Sequence, residues 1–257
     1  MLEHWSRVVV AVSGGKDSLT LLHLLKEIED ETHGSDLIAV TIDEGISGYR
    51  NEAVKIAVDA SKKLKVEWKL VSFKDLYGTT MDEITSKARE LGACSFCGVL
   101  RRRALNIVAR DMNADRLATG HTLDDMAQSA FLNLLRGDMG RISALTPGGF
   151  NAPGFVRRIK PLCEIPEKET TLFTYLEGLE FQSITCPYSE EAMRSDVRAF
   201  LNEIETRRPG TLFTVYNTAL KLIPKATIQQ TLRTCSKCGE SSVGDICRVC
   251  QLLDYHI

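Results

Sequence analysis

The sequence predicts an α/β protein: a doubly wound parallel sheet, followed by a helical C-terminal region and a small cysteine-rich tail. Three observations carry that expectation. Apolar runs rich in β-branched residues alternate with amphipathic runs over the first half of the chain, the pattern of a parallel sheet with helices on both faces. The first such run breaks at Gly14-Gly15 and passes directly into a helical run, an arrangement that presents helix N-terminal amides to an anion. The tail carries two CxxC pairs at a spacing that lets one tetrahedral metal take all four sulfurs.

Strands are expected at 8–13, 37–43, 66–72 and 116–119, and helices at 19–31, 49–63, 79–90, 100–112 and 123–135. Val8, Val9 and Val10 read as part of a buried strand, whereas Leu19, Leu22 and Leu25 recur at helical spacing. Beyond Gly137, a stretch with Gly140, Pro147, Gly148, Gly149, Pro153 and Gly154 reads as loop, with one weaker strand at 156–161. Helical runs return at 166–177, 190–205 and 211–222. Pro166 suits a first helical turn, and Pro209-Gly210 separates the last two helices. The chain thus divides into an α/β domain at 1–140, a loop and helical region at 141–230, and a terminal ribbon at 231–257.

At 257 residues, with 44% hydrophobic and 26% charged, the composition is that of an ordinary globular protein. No apolar run approaches the roughly 18 residues a membrane span requires. The N-terminal residues lack a basic flank followed by an apolar segment, so a cytoplasmic location without a membrane partner is expected. Net charge is −2, but Arg101-Arg102-Arg103 and Arg157-Arg158 with Lys160 form basic clusters. Such clusters suit a phosphate backbone; they are equally at home as solvated helix surface, and charge alone does not establish nucleic-acid binding.

In Ser13-Gly14-Gly15-Lys16-Asp17-Ser18 the two glycines allow a close approach to the main chain, and both serines and the free amides can hold an anion. Lys16 can pair with phosphate oxygens, and Asp17 can help hold Mg2+ on a leaving pyrophosphate. The spacing is not that of a Walker loop, which needs GxxxxGK[ST]. In a doubly wound sheet, ligands bind at strand carboxyl ends. Asp43-Glu44-Gly45 and Gly120-His121 fall at two further such ends, so all three segments are expected to converge.

Eight cysteines in a cytosolic chain point to metal or redox chemistry rather than disulfides. Cys235, Cys238, Cys247 and Cys250 fit a closed, structural Zn2+ site whose binding energy folds a segment with little core of its own. Cys94 and Cys97 form a third CxxC ahead of a basic amphipathic helix, with no second pair nearby. The remaining candidate ligand is Cys186, in Cys186-Pro187-Tyr188. Cysteine before proline is familiar from iron–sulfur ligation, and three thiolates leave a metal position open. Cys163 reads as a small buried side chain. At Thr122-Leu123-Asp124-Asp125 two carboxylates fill a helix first turn, where negative charge is favoured by about 0.3–1 kcal/mol. That accounts for them without function; the alternative faces one toward the phosphates as a metal ligand or proton acceptor. His121 is open to both readings.

Taken together, the segments at 13–18, 43–50 (Asp-Glu-Gly-Ile-x-Gly-Tyr-Arg), 94–98 (Cys-Ser-x-Cys-Gly), 118–125, 160–169 and 186–188 resemble the tRNA 2-thiouridine synthetases. That family belongs to the PP-loop ATP pyrophosphatases, which have an adenine nucleotide α-hydrolase-like fold. The resemblance runs from Val8 to Cys250. It implies a [4Fe–4S] cluster on Cys94, Cys97 and Cys186 with one iron free of protein ligands, and catalytic duty for Asp125 and for Arg101. Arginine keeps a positive charge but does not shuttle protons, so Arg101 would act electrostatically. Members typically carry a further zinc ribbon ahead of the PP-loop; here only a few residues precede the first strand, a departure that bears on tRNA positioning and on the family homodimer.

The expected reaction is ATP-dependent tRNA 2-thiolation. The C2 oxygen of a uridine attacks the α-phosphate of ATP, pyrophosphate leaves, and sulfur then replaces the adenylated oxygen by way of the cluster. The base must be accessible, from a loop or flipped out. The resemblance suggests a ubiquitin-like carrier's thiocarboxylate or free sulfide as donor. Two rivals share parts of this sequence. A lysidine- or amide-forming PP-loop ligase would have the ATP site without needing the three cysteines, and a non-catalytic tRNA- or carrier-binding subunit would not release pyrophosphate.

Overall fold

The computed structural model describes residues 6–32, 34–87, 91–149, 152–188, 193–223 and 232–254. Its main sheet is parallel throughout, in the order β3-β2-β1-β4-β5. These strands are β1 (Ser6–Ala11), β2 (Ser35–Asp43), β3 (Glu67–Ser72), β4 (Arg116–Thr119) and β5 (Arg157–Ile159). Central β1 pairs with β2 from Ser6↔Ser35 to Ala11↔Val40, and with β4 from Val8↔Arg116 to Ala11↔Thr119. The chain winds outward from β1 to one edge and then returns to the other side of it. The topological switch therefore lies between β1 and β4, and a crevice opens beyond their carboxyl ends.

Alternate strand residues serve opposite faces. Val8, Val10, Val12, Leu37 and Ala39 pack under α1 (Lys16–Thr32) and α2 (Arg50–Lys63). Val9, Ile38, Val40 and Ile42 pack under α3 (Phe73–Tyr77), α4 (Met81–Ser86) and α5 (Ala93–Asp111). Burial on both faces explains why β1 and β2 are near-continuous apolar runs rather than alternating ones. A third core joins α6 (Leu123–Leu135) and α7 (Met139–Ser143) to α9 (Met193–Arg207) and α10 (Thr211–Leu222), through Met126, Ala130, Leu201, Leu212 and Tyr216. Cys163 is buried there, 1% exposed, as a small apolar side chain. Between these elements α8 (Glu167–Leu176) follows β5 and packs on α1.

β4 and α6 lie where the sequence pattern put them. Other segments differ. The expected helix 79–90 is the shorter α4, started by a capping box in which Glu83 N–H donates to Thr80 Oγ1 at 3.2 Å and Thr80 N–H donates to Glu83 Oε2 at 3.0 Å; residues 88–90 lie outside the described residues, as do 190–192 of the expected helix 190–205. The helix expected at 100–112 begins instead at Ala93, so Cys94 and Cys97 lie within it rather than ahead of it. Ala93, Phe96 and Leu100 are all buried, a helical stripe that was masked in the sequence by the intervening cysteines and Gly98. The short α7 was not anticipated; Asp138 caps it by accepting from Arg141 N–H at 3.0 Å.

The tail is a two-stranded antiparallel ribbon, β6 (Arg233–Thr234) and β7 (Ser241–Ser242), followed by α11 (Arg248–Asp254). It docks on α5. Leu252 enters the α5 core, and Glu240 meets Arg103 at 3.1 Å and Arg110 at 2.6 Å.

Candidate functional site

The loop between β1 and α1 is built from contacts that few other residues could make. Gly14 has φ +88°, and a Cβ there would sit 2.4 Å from the Ala53 carbonyl oxygen of α2. Ser18 Oγ ties the turn together, accepting from Ser13 N–H at 3.1 Å and donating to Gly15 O at 2.8 Å. Gly120 closes the floor, since a Cβ there would lie 2.9 Å from Asp17 O. At the end of β2, Asp43 Oδ1 accepts from Gly45 N–H at 2.8 Å. Ser13, Gly14, Gly15, Ser18, Asp43 and Gly120 thus share the strand-end crevice, as the convergence argument expects.

Lys16 is not free in that crevice. Its ammonium contacts Asp17 at 2.9 Å and Glu167 of α8 at 2.7 Å. Burial opposes its charge, but the hydrogen bonds to Glu167 and Asp17 outweigh that and raise its pKa. Asp17 also accepts from Thr170 Oγ1 at 2.5 Å, and Glu167 from Arg198 at 2.6 Å. At the start of α6, Asp125 forms a capping box with Thr122, so the capping reading holds. The same carboxylate is 3.6 Å from Arg194, and Asp124 accepts from Glu167 N–H at 2.6 Å. Burial raises the pKa of both aspartates. Asp17, Asp124 and Glu167 are thus tied into one network beside the loop through Lys16 and the Glu167 amide, with Asp125 next to Asp124 at the start of α6.

His121 sits on the other side. Its Nδ1 is 2.9 Å from Thr119 Oγ1. Partial desolvation of the ring, followed by the charges of Lys160, Arg158, Arg194 and Arg102, lowers its pKa and favours the neutral ring, although the residue remains exposed.

The structure draws the three separated cysteines to the opposite wall. Cys97 and Cys186 are half-buried against one core, and Cys94 Sγ lies 3.4 Å from Tyr188 O, two residues beyond Cys186. Burial pushes the Cys97 thiol up to about 11; Arg101 opposes this, donating from Nη2 to Cys97 Sγ at 3.2 Å. Arg101 Nε reaches Glu44 Oε1 at 2.6 Å, and Arg50 Nε reaches Glu44 Oε2 at 2.7 Å. Arg50 also donates to Ser13 O at 3.1 Å. Among the described residues, only the tail cysteines bring their sulfurs within 4.8 Å of one another. The looser triad fits a polynuclear cluster, in which each thiolate binds a different iron, better than a single zinc ion.

A family model described as the PP-loop domain matches residues 3–204. The tRNA 2-thiolation protein NcsA of Haloferax volcanii is 37% identical over 96% of this chain and 81% of its own. Cytoplasmic tRNA 2-thiolation protein 1 of Chlamydomonas reinhardtii is 37% identical over 99% of this chain and 72% of its own. The chain belongs to the PP-loop tRNA 2-thiolation family. A solved family structure, the U34-tRNA thiolase NcsA of Methanococcus maripaludis with its [4Fe-4S] cluster, superposes with a TM-score of 0.85 at 36% identity, covering 99% of this chain and 82% of that one.

Two further features of this family member adjoin α5. In the tail, Cys235 and Cys250 sulfurs are 3.9 Å apart and those of Cys238 and Cys247 3.6 Å apart, while Cys247 N–H donates to Cys235 Sγ at 3.2 Å. Four sulfurs this close, with amides directed at them, fit a tetrahedral zinc ion with no open position. Between α5, β5 and the tail lies a cavity of about 420 Å³ whose lining includes Arg102, Arg158, Lys160 and Arg248, and no carboxylate. Arg158 Nε is buried without a hydrogen-bond partner, and burial with Arg102 nearby lowers its pKa to about 10. Burial and Arg158 together bring Lys160 down to about 8, although its ammonium donates to Ala144 O at 2.7 Å.

Sequence reasoning assigned no role to Glu44, Arg50, Glu167, Arg194, Arg198 or Gln182. Glu44, Arg50 and Glu167 stood within quoted motifs, so a signal was present. Arg194 and Arg198 lie on α9, and Gln182, whose N–H donates to Gly14 O at 2.9 Å, lies between elements; nothing local marked them.

Proposed function

We propose that this chain is an ATP-dependent tRNA-uridine 2-sulfurtransferase. The observation that carries the reading is that the nucleotide loop and Cys97 are linked through Arg50, Glu44 and Arg101: Arg50 donates to Ser13 O at 3.1 Å and pairs with Glu44, and Arg101 contacts Glu44 at 2.6 Å and Cys97 at 3.2 Å. The domain division follows the same reading, with 1–140 binding ATP, 141–230 completing the cluster and tRNA site, and 231–257 forming the Zn2+ ribbon. The relatives' names supply the substrate class, and the name of the solved relative suggests the wobble uridine as the position modified. Some relatives are named cytoplasmic proteins, consistent with a cytoplasmic setting.

In this mechanism the amides after Gly14 and Gly15 and the hydroxyls of Ser13 and Ser18 hold the phosphates of ATP. Asp17, with Glu167, binds Mg2+, and Lys16 exchanges a carboxylate for a phosphate oxygen as the nucleotide enters. Asp43 and Gly120 border the adenosine end. His121, neutral, donates or accepts a hydrogen bond without carrying a proton. The uridine C2 oxygen attacks the α-phosphate; the bond to the β-phosphate breaks and pyrophosphate leaves. Asp125, with its raised pKa and its position beside the loop, accepts the N3 proton released as the C2 oxygen becomes the nucleophile. Cys94, Cys97 and Cys186 would hold a [4Fe–4S] cluster, which would supply the sulfur-transfer chemistry. Arg101 stabilises negative charge at Cys97 and on the departing AMP as sulfur replaces oxygen at C2. Arg102, Arg158 and Lys160 hold backbone phosphates of the tRNA. A ubiquitin-like carrier or free sulfide provides the sulfur, and a homodimer is the assembly in which we expect it to work.

A PP-loop ligase of the lysidine or amide type would not need the triad and is not favoured. The test is anaerobic reconstitution with iron and sulfide, then incubation with ATP, Mg2+, sulfide and a tRNA transcript. Mass spectrometry should find 2-thiouridine at the wobble position together with AMP and pyrophosphate. Pyrophosphate release without thiouridine, from a protein that takes up no iron, overturns the proposal.

A further inference from the structure

Glu44 is 2% exposed, yet it lies between two guanidinium groups that lead to different sites. On one side Arg50 approaches Glu44 Oε2 at 2.7 Å and donates to Ser13 O at 3.1 Å and Ile42 O at 2.6 Å, at the mouth of the nucleotide loop. On the other, Arg101 approaches Glu44 Oε1 at 2.6 Å and donates to Cys97 Sγ at 3.2 Å. One buried carboxylate therefore connects the loop carbonyl of Ser13 to a cysteine of the triad. Neither the Glu44 Oε2 atom nor the Arg50 Nε atom finds an aligned hydrogen bond, so that half of the bridge is held by charge.

We propose that Glu44 is a positioning residue that couples nucleotide occupancy of the loop to the state of the cysteine centre. This rests on the function proposed above and goes beyond it. The physical argument is that Glu44 divides one negative charge between two cations, with the carboxylate and Arg50 buried and Arg101 half-exposed. When nucleotide phosphates draw Arg50 or shift the Ser13 carbonyl, the share of Glu44 charge left to Arg101 changes, and with it the strength of the Arg101 donation to Cys97. Linkage makes the effect reciprocal: a cluster that is favoured by bound nucleotide must itself favour nucleotide binding by the same factor.

The test uses a non-hydrolysable ATP analogue, α,β-methylene-ATP, titrated anaerobically into cluster-loaded and cluster-stripped full-length protein. We expect the affinity ratio between the two forms to be at least about fivefold, the lower end of measured coupling between sites. The reduced cluster should also change its electron paramagnetic resonance spectrum on addition of the analogue. Glu44→Gln should bring the ratio close to one and abolish the spectral change. Arg101→Met provides a second variant, because Arg101 is half-exposed and its loss leaves the Arg50–Glu44 pair in place; it should retain the affinity of the stripped protein and lose the ratio. Equal affinities in the two wild-type forms overturn the coupling while leaving the proposed reaction intact. A ratio that survives in either variant overturns the role of Glu44. Failure of the wild-type protein to bind the analogue in either form overturns both the coupling and the adenylation reading.

Discussion

The tail gathers its four cysteines from positions 235 to 250, through two knuckles whose amides point at the sulfurs. The crevice instead recruits Cys186 from beyond the sheet to join Cys94 and Cys97 on α5. Four sulfurs within 4.8 Å make a closed coordination shell that leaves no place for a substrate. The triad is looser: its sulfurs form no such close group, and Arg101 donates to one of them, Cys97. Completeness of the donor set thus separates a centre suited to holding a fold from one suited to chemistry.

Substitutions that remove a sulfur should separate the two centres most sharply. Cys186→Ala should reduce thiolation by more than the roughly 10–100-fold typical of outer partners of a metal site, with unchanged circular dichroism and unchanged zinc content. If Cys186→Ala retained full thiolation and an intact cluster spectrum, the triad assignment would fail. Cys247→Ser should do the reverse at first: zinc is lost, and hydrogen exchange across 232–254 becomes fast, since metal binding supplies the folding energy of such ribbons. Thiolation should decline only as far as the docking of the tail on α5 supports the crevice.

A smaller but still large effect is expected at the proton acceptor. Asp125→Asn should lower the thiolation rate by roughly 10²–10⁴-fold while leaving both metal contents unchanged. Because burial raises the Asp125 pKa, the carboxylate form is lost as pH falls, beginning above the ordinary carboxylate range. The acidic limb of kcat/KM should therefore lie above that range, and a limb at the unperturbed value would argue for capping alone.

The basic cavity yields the next effect. Arg158→Ala and Lys160→Met should each weaken tRNA binding and reduce its salt dependence by about one in the log–log slope. Lys160, at about 8, loses its charge as pH rises, so wild-type affinity should drop between pH 7 and 9 and the Lys160 variant should lack that drop. The smallest effect is expected where the tail meets α5. Glu240→Ala, which removes the contacts to Arg103 and Arg110, should cost about 1 kcal/mol of stability in thermal unfolding with zinc still bound.

Much of this architecture was legible in the order of residues. β4 and α6 were readable because Arg116 to Thr119 and Leu123 to Leu135 carry clear apolar patterns with Gly120 and a capping threonine between them. The start of α5 was not, because cysteines and a glycine interrupted a stripe whose apolar members, Ala93, Phe96 and Leu100, are evident only when buried. Lys16 was expected to face phosphate alone. Its partner Glu167 lies 151 residues further on, and no local pattern can announce an ion pair made between α1 and α8.

The same division applies to the chemistry. The residues of the loop and the tail cysteines are close in sequence, so their spacing dictated an anion-binding turn and a four-sulfur knuckle before any packing was known. Packing decided the rest: that Cys186 and Cys97 lie against one core with Cys94 beside Tyr188, that Asp125 is half-buried while capping α6, and that Glu44 stands between Arg50 and Arg101. Those relations depend on which elements meet across the sheet, and on the loss of water where they meet, which is what turns neighbouring charges into a coupled site.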